Sequence, residues 1–344
     1  MKKGLPVTLN LQKKVNLQSD GAGFIQSLLA LKFKHNRFYA LDRIGAGIAV
    51  FDHRGRHVRT IQVAPEIGPE RLLTELFVMD DGRIYVKDER LHAIFCLDRT
   101  GENLTTIYSP DQGRDSPTIT LGGLSVVKTD SGDLIYTTIF NNLPRKEYLE
   151  NSFLVAAFDH NGNPLFQFAK HSPIYSRYNL INFHVSTFTV WEDELYFLES
   201  ASHKVRIYSL TGQLKRAFGE YGYHQRIPNK RLRPNATLED VKSFIVEYSA
   251  FDGVYILSGM QAFKPYIIAV TYRNPRKVAD GASGSDYFLM LYRSDGELLV
   301  NDIKLPGRIF DVVETDERAL LLVNIDNNPT HRVVGFFTLE FGKK

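Results

Sequence analysis

The residues best suited to chemistry fall in two stretches of the chain. The segment 220–243 holds Tyr221, Tyr223, His224, Arg226, Lys230, Arg231 and Arg233 in close succession. Guanidinium and ammonium groups engage phosphates or carboxylates, and tyrosine rings beside them stack on bases or sugars, so this group is a candidate for RNA or another anionic ligand. The segment 171–179 combines Tyr175, Arg177 and Tyr178 with the amide of Asn179, a mixture suited to sugars or peptides. The same two patterns describe ordered surface loops whose arginines cap carbonyls and pack on rings. The net charge is +3, from 42 Lys and Arg against 39 Asp and Glu, so the whole chain exerts no general pull on nucleic acid. RNA binding would rest on Arg226, Lys230, Arg231 and Arg233 alone.

Hard oxygen ligands for a divalent cation are available at Glu75, Asp88, Asn141, Asn182 and Glu199, each near the start or end of an expected strand. His184 opens a strand pattern and joins the candidate binding residues, with a satisfied core histidine as its other reading. His35, His53, His92, His160 and His203 sit in or beside turns and are dispersed. Cys96 is the sole cysteine, which excludes an intrachain disulfide and a multi-cysteine metal site; its apolar surroundings mark it as a buried small hydrophobe. No Gly-x-Ser-x-Gly elbow occurs, and Gly281-Ala282-Ser283-Gly284-Ser285 reads as a flexible linker. Gly45-Ala46-Gly47 lies between strands and does not open a helix, so it cradles no phosphate. No catalytic residue is assigned, and no cofactor is expected apart from the candidate divalent metal.

The elements that must position these residues are strands. A hydrophobic fraction of 43% and a charged fraction of 24% describe a folded globular chain, and 23 Phe with 17 Tyr favour pleated, half-buried surfaces. A unit of apolar strand, polar turn, aromatic strand, apolar strand, glycine turn and closing strand recurs along the chain. Its clearest copies are Phe38-Tyr39-Ala40-Leu41-Asp42 with Ile48-Ala49-Val50-Phe51-Asp52 and Gly55, and Ile84-Tyr85-Val86-Lys87-Asp88 with Ile94-Phe95-Cys96-Leu97-Asp98 and Gly101. First hairpin turns are expected at Asn36, Gly82, Gly132, Asp193, Gly253 and Glu317. The reading is an all-β, six-bladed β-propeller of four-stranded antiparallel blades, one domain over residues 1–344. Blades fall near 24–62, 72–109, 122–169, 183–219, 244–304 and 308–340, with an insertion over 261–286. Residues 7–17 form a closing strand that completes the last blade and removes an exposed sheet edge. Long connections at 63–72, 170–183 and 220–243 are the places for ligand contacts, and Thr237 with Asp240 has the spacing of a helix-capping pair.

These units, such as Ala49-Val50-Phe51-Asp52-His53-Arg54-Gly55 and Val205-Arg206-Ile207-Tyr208-Ser209-Leu210-Thr211-Gly212, resemble NHL-type six-bladed propellers. They are closer still to the broad bacterial set of secreted or lipid-anchored propellers. The resemblance covers nearly the whole chain and implies a fold and little else. A regular propeller with long decorated connections and no recognisable catalytic set points first to a noncatalytic scaffold that binds a protein, glycan or other ligand across one face. Similar propellers include metal-dependent, lactonase-like hydrolases with a divalent cation in the central channel, which makes that the alternative. The chain lacks both the early Glu-Gly pair and the Asn-Gly strand start of those enzymes. Other similar propellers hold RNA on a basic face, the second alternative. The resemblance favours the cell envelope or secretion. Lys2 and Lys3 are followed over 4–12 by a strand-like alternation and not by the apolar run of a signal peptide. No run reaches the roughly 18 to 20 apolar residues of a transmembrane segment.

Overall fold

The computed structural model describes residues 6–18, 25, 27–42, 47–63, 71–102, 104–108, 117–141, 143, 145–180, 185–233, 236–259, 265–277, 283–315, 318–328 and 331–342. Their backbone is overwhelmingly extended, as the aromatic and β-branched content demands. One four-stranded sheet comprises β2 (Leu28–Lys34), β3 (Arg37–Asp42), β4 (Gly47–Asp52) and β5 (His57–Gln62), in that order. The next comprises β6 (Leu73–Val78), β7 (Ile84–Asp88), β8 (Ala93–Leu97) and β9 (Leu104–Tyr108).

An eight-stranded sheet follows, built from β10 (Thr118–Thr129), β11 (Gly132–Phe140), β12 (Phe153–Phe158) and β13 (Pro164–Lys170) on one side. On the other side are β14 (Ser186–Trp191), β15 (Glu194–Glu199), β16 (Val205–Ser209) and β17 (Leu214–Phe218). The two halves touch through parallel β10 and β14 at a single register pair, Gly122 with Ser186. A further four-stranded sheet is made of β18 (Ala250–Leu257), β19 (Ile267–Lys277), β20 (Ser283–Arg293) and β21 (Leu298–Leu305). The last joins β22 (Ile309–Glu314), β23 (Ala319–Asn328) and β24 (His331–Phe341) to β1 (Val7–Leu17). β1 and β24 pair antiparallel from Val7 opposite Phe341 to Leu17 opposite Arg332, as the orphan strand pattern required.

The arrangement is propeller-like. Strands β2, β6, β10, β14, β18 and β22 each contact the next, and β22 contacts β2. The apolar core lies between consecutive sheets. One layer packs Leu41, Val50, Leu76 and Val86 together, another Tyr196, Ile207, Ile268 and Met290. A third joins the ends of the chain, with Val15, Phe38, Phe51, Leu322 and Phe336 in contact. Middle strands are covered on both faces, so every residue of β7 and β8 is buried, Cys96 included. Outer strands such as β17 stay open on one face.

Three expectations need correction. Gly253 is no hairpin turn: it lies inside β18, where a Cβ would come within 2.5 Å of the Tyr255 ring. The span 261–286 is no loose insertion, because β19 and β20 pair without a break from Ile267 opposite Arg293 to Lys277 opposite Ser283. The polar residues Asn274, Arg276 and Asp286 disguised that ladder as a loop. The Gly-Ser linker is likewise strand at Ser283 and Gly284, while 281–282 and the expected turn at Glu317 lie outside the described residues. Among the described residues three short helices decorate the connections: α1 (Arg145–Asn151), α2 (Pro173–Tyr178) and α3 (Leu238–Glu247). α3 starts at the expected capping box, with Thr237 and Asp240 bonding reciprocally.

Candidate functional site

A central channel is lined by residues on or beside β2, β6, β10, β14, β18 and β22, and an irregularity shared by four of these strands shapes it. Register shifts occur between Leu28 and Ala30, Leu73 and Glu75, Phe251 and Gly253, and Ile309 and Asp311. Each leaves one residue unpaired, namely Leu29, Thr74, Asp252 and Phe310; such bulges bend a strand and re-aim its side chains. The cavity between the strands measures about 640 Å³. Its charges are largely cancelled across neighbouring sheets. Lys32 Nζ lies 3.3 Å from Asp311 Oδ1, whose Oδ2 accepts the Phe33 amide at 3.0 Å. Arg308 Nε meets Asp252 Oδ2 at 3.1 Å and its Nη1 donates to the Leu29 carbonyl at 3.2 Å. Burial alone would lower the Lys32 pKa, but Asp311 and then Glu75 raise it overall; Asp252 raises that of Arg308 against the same burial. Glu75 lines the cavity and forms no ion pair among the described residues.

Of the proposed metal ligands among the described residues, only Glu75 lines this channel. Asp88, Asn141 and Glu199 stand at the ends of second strands and tie down incoming backbone. Asp88 Oδ1 accepts from the amides of Leu72, Arg90 and Leu91 at 3.3, 2.9 and 3.1 Å. Asn141 accepts from the Phe153 amide and donates to Gln167, both at 2.8 Å. Glu199, 2% exposed, accepts from the Ser172 amide at 2.9 Å, from Arg206 Nη2 at 2.5 Å and from His171 Nδ1 at 3.2 Å. Asn182 and His184 lie outside the described residues. Among the described residues no group of three or more His, Cys, Asp or Glu is placed to hold a metal ion.

Glu199 has a different consequence. By fixing the amide of Ser172, the residue ahead of α2, it seats a helix that carries three of the proposed binding residues. Tyr175 points inward, fully buried, and its hydroxyl accepts the Ala201 amide at 3.2 Å. Arg177 is exposed, and Tyr178 is half-buried against the cluster around Tyr175. With Ser202, His203, Lys204 and Tyr221 they line a crevice of about 420 Å³. The two chemistry-bearing segments are sewn together at its edge: the Leu232 amide donates to the Tyr178 carbonyl at 3.0 Å, and Asn179 Nδ2 donates to the carbonyls of Leu232 and Arg233, both at 3.0 Å. Tyr221 packs on His203 with ring centroids 3.9 Å apart and stays 37% exposed. Burial, then the adjacent Lys204, pushes the His203 pKa down to about 4, so its ring is neutral at pH 7. Burial, then Tyr178, raises the Tyr221 pKa.

The basic segment is less available than its composition implies. Arg226 donates to the Pro275 carbonyl, Lys230 pairs with Glu247, and Arg233 lies 3.3 Å from Asp240. Arg231 is exposed and makes no ion pair among the described residues. Tyr223 is 75% exposed, with its amide on Asn301 Oδ1 at 3.4 Å, turned toward β21. Sequence reasoning missed His203 and Lys204, whose dispersal hides their convergence with Arg177 and Tyr221. The one signal was the Ser-rich run Ser200, Ala201, Ser202 directly after β15, an interruption of the hairpin pattern.

No protein-family model and no curated protein matches the sequence. The fold does have solved counterparts. A DUF4221-family member from Bacteroides vulgatus superposes with a TM-score of 0.66 at 12% identity, covering 99% of this chain and 100% of that one. An auxiliary nutrient binding protein from Bacteroides thetaiotaomicron gives a TM-score of 0.53 at 10% identity over 97% of this chain and 77% of that one. A luciferin-regenerating enzyme gives 0.50 at 12% identity over 95% of both chains. At such identities the likeness is one of fold, and the fold serves binding proteins and an enzyme alike. Among the described residues no helix is long and apolar enough to cross a membrane.

Proposed function

We propose that this chain is a noncatalytic six-bladed scaffold that binds a small ligand on the face carrying its long connections. The single parallel pair between β10 and β14 supports counting the eight-stranded sheet as two blades, and the cycle of six first strands supports the same count. The observation that carries the binding reading is the crevice between α2, residues 202–204 and Tyr221. It gathers two cations, Arg177 and Lys204, with the exposed ring of Tyr221 and the half-buried rings of Tyr178 and His203 from segments distant in sequence, on a support anchored by Glu199. Nothing in it is arranged as a nucleophile with its base.

The lactonase-like alternative draws support from the channel cavity and Glu75. Against it, Asp252 and Asp311 already neutralise Arg308 and Lys32. RNA binding would have to work through Arg231 and whatever Arg226, Lys230 and Arg233 release from their present partners. An envelope or secreted location fits the nutrient binding neighbour. The test is a calorimetric panel of oligosaccharides, short peptides, nucleotides and single-stranded RNA, with lactone turnover with and without added divalent ions as control. Stoichiometric binding of a small ligand without turnover supports the scaffold. Metal-dependent lactone hydrolysis, or no binding across the whole panel, overturns it.

A further inference from the structure

Resting on that scaffold reading, we infer that the crevice is a binding site for an acidic saccharide, with Arg177 holding its carboxylate and Tyr221 stacking on a sugar ring. The lining contains two cations, Arg177 and Lys204, and no carboxylate. Two further cavities both contain acids: Asp80 and Asp81 in one, Glu75, Asp252, Asp311 and Glu314 in the channel. Glu199 beneath the crevice is already neutralised by Arg206, and Glu220, next to Tyr221 in the chain, is exposed outside the lining. The lining charge of the crevice is therefore positive, unlike that of either of those cavities. Lys204 spends its ammonium on the Gly219 carbonyl at 2.8 Å, whereas Arg177 is exposed and forms no ion pair among the described residues. A planar guanidinium with both edges open takes a carboxylate in bidentate fashion.

The rest of the ligand is specified by the rings and hydroxyls. One face of Tyr221 is covered by His203, which leaves a single aromatic face for the ligand. That matches the one apolar face of a pyranose. The hydroxyls of Tyr178 and Ser172 in the lining offer both donors and acceptors, as sugar hydroxyls require, while Ser202 is buried with its Oγ accepting the Lys204 amide at 3.3 Å. The cavity of about 420 Å³ lies within the ~300–1,000 Å³ of small-ligand sites. His203, neutral at pH 7, adds stacking surface without charge, so the anion is recognised by Arg177.

The experiment is isothermal titration of the full chain with a uronic-acid trisaccharide, the matching neutral trisaccharide and adenosine monophosphate. The expected result is binding of the uronic-acid trimer in preference to the other two. Arg177→Gln and Tyr221→Ala each weaken it about tenfold or more, and Arg54→Gln, an equal charge change in a distant exposed turn, leaves it unchanged. Equal weakening by Arg177→Gln and Arg54→Gln would mean diffuse attraction and overturn the site. Preference for adenosine monophosphate or the neutral sugar overturns the ligand class. If no trisaccharide binds while another member of the panel does, this inference fails and the scaffold reading stands; if nothing binds, both fall.

Discussion

The channel and the crevice hold the same kinds of residue and use them in opposite ways. In the channel, Lys32 faces Asp311 and Arg308 faces Asp252, each cation provided with a carboxylate from a neighbouring sheet. In the crevice, Arg177 points at open space while the carboxylate below it, Glu199, is spent on Ser172, Arg206 and His171. The lesson is that a cavity's size does not identify the ligand site. In the larger cavity Lys32 and Arg308 each have a carboxylate partner; in the smaller the Arg177 cation stays uncommitted among the described residues. Cross-sheet pairs in the channel hold consecutive sheets around the axis, which is what a ring with a hollow centre needs.

The contrast breaks most visibly at Glu199. Glu199→Ala strands Arg206 in a buried setting and frees the Ser172 amide, so urea unfolding should show a loss of about 3–5 kcal/mol, with ligand binding lost as well. A loss below about 1 kcal/mol would show that α2 seats itself without this anchor. Next in size is Arg308→Met, which abandons Asp252 and the Leu29 carbonyl at once and should cost about 2 kcal/mol. Adding Asp252→Asn should recover part of that loss, and strictly additive losses would mean the channel pair is no staple. Thr237→Ala removes the reciprocal cap of α3 and should cost about 1 kcal/mol, read by thermal unfolding. Arg177→Ala should stay within about 0.5 kcal/mol of the parent stability, because nothing in the fold depends on it. A larger change would move Arg177 from the binding column to the structural one.

The smallest effect concerns pH. The folded-state pKa of His203 lies near 4, below its ordinary value of 6.5. Between those values the unfolded chain holds more protons than the folded one, so this residue's contribution falls as pH drops from 6.5 towards 4. His203→Phe should flatten that portion of the pH–stability curve, and an unchanged slope would place the acid sensitivity elsewhere. Ligand affinity, resting on a guanidinium, should be level from pH 5.5 to 8.

Much of this architecture was readable in the sequence, because hairpin turns and alternating apolar residues are local signals. Phe38 to Asp52 and Ile84 to Leu97 fell where expected, and the pairing of β1 with β24 followed from one orphan strand meeting one incomplete sheet. The failures came where polar residues serve long-range purposes. The β19–β20 ladder carries polar side chains that read as loop, and Gly253 answers to a ring from its own strand. The candidate site was half legible: Arg177 and Tyr178 were singled out from their neighbours, but their convergence with His203 and Tyr221 is a property of packing. The same holds for Glu199, whose side chain suits metal and anchor equally until its partners are known.

The bond from the Gly342 amide to the Pro6 carbonyl, 2.8 Å long, continues the β1–β24 ladder to its last rung. It makes the two ends of the described chain a clasp. A ring fastened this way can be cut elsewhere and rejoined here: a short linker across the clasp, with new termini at the exposed Asp159–Gly162 turn, should yield a permutant with the same fold. The clasp pairs two strands separated by every other strand of the described chain, β1 and β24. The ring can therefore be fastened only after β24 has been made, and until then β1 must wait without its partner.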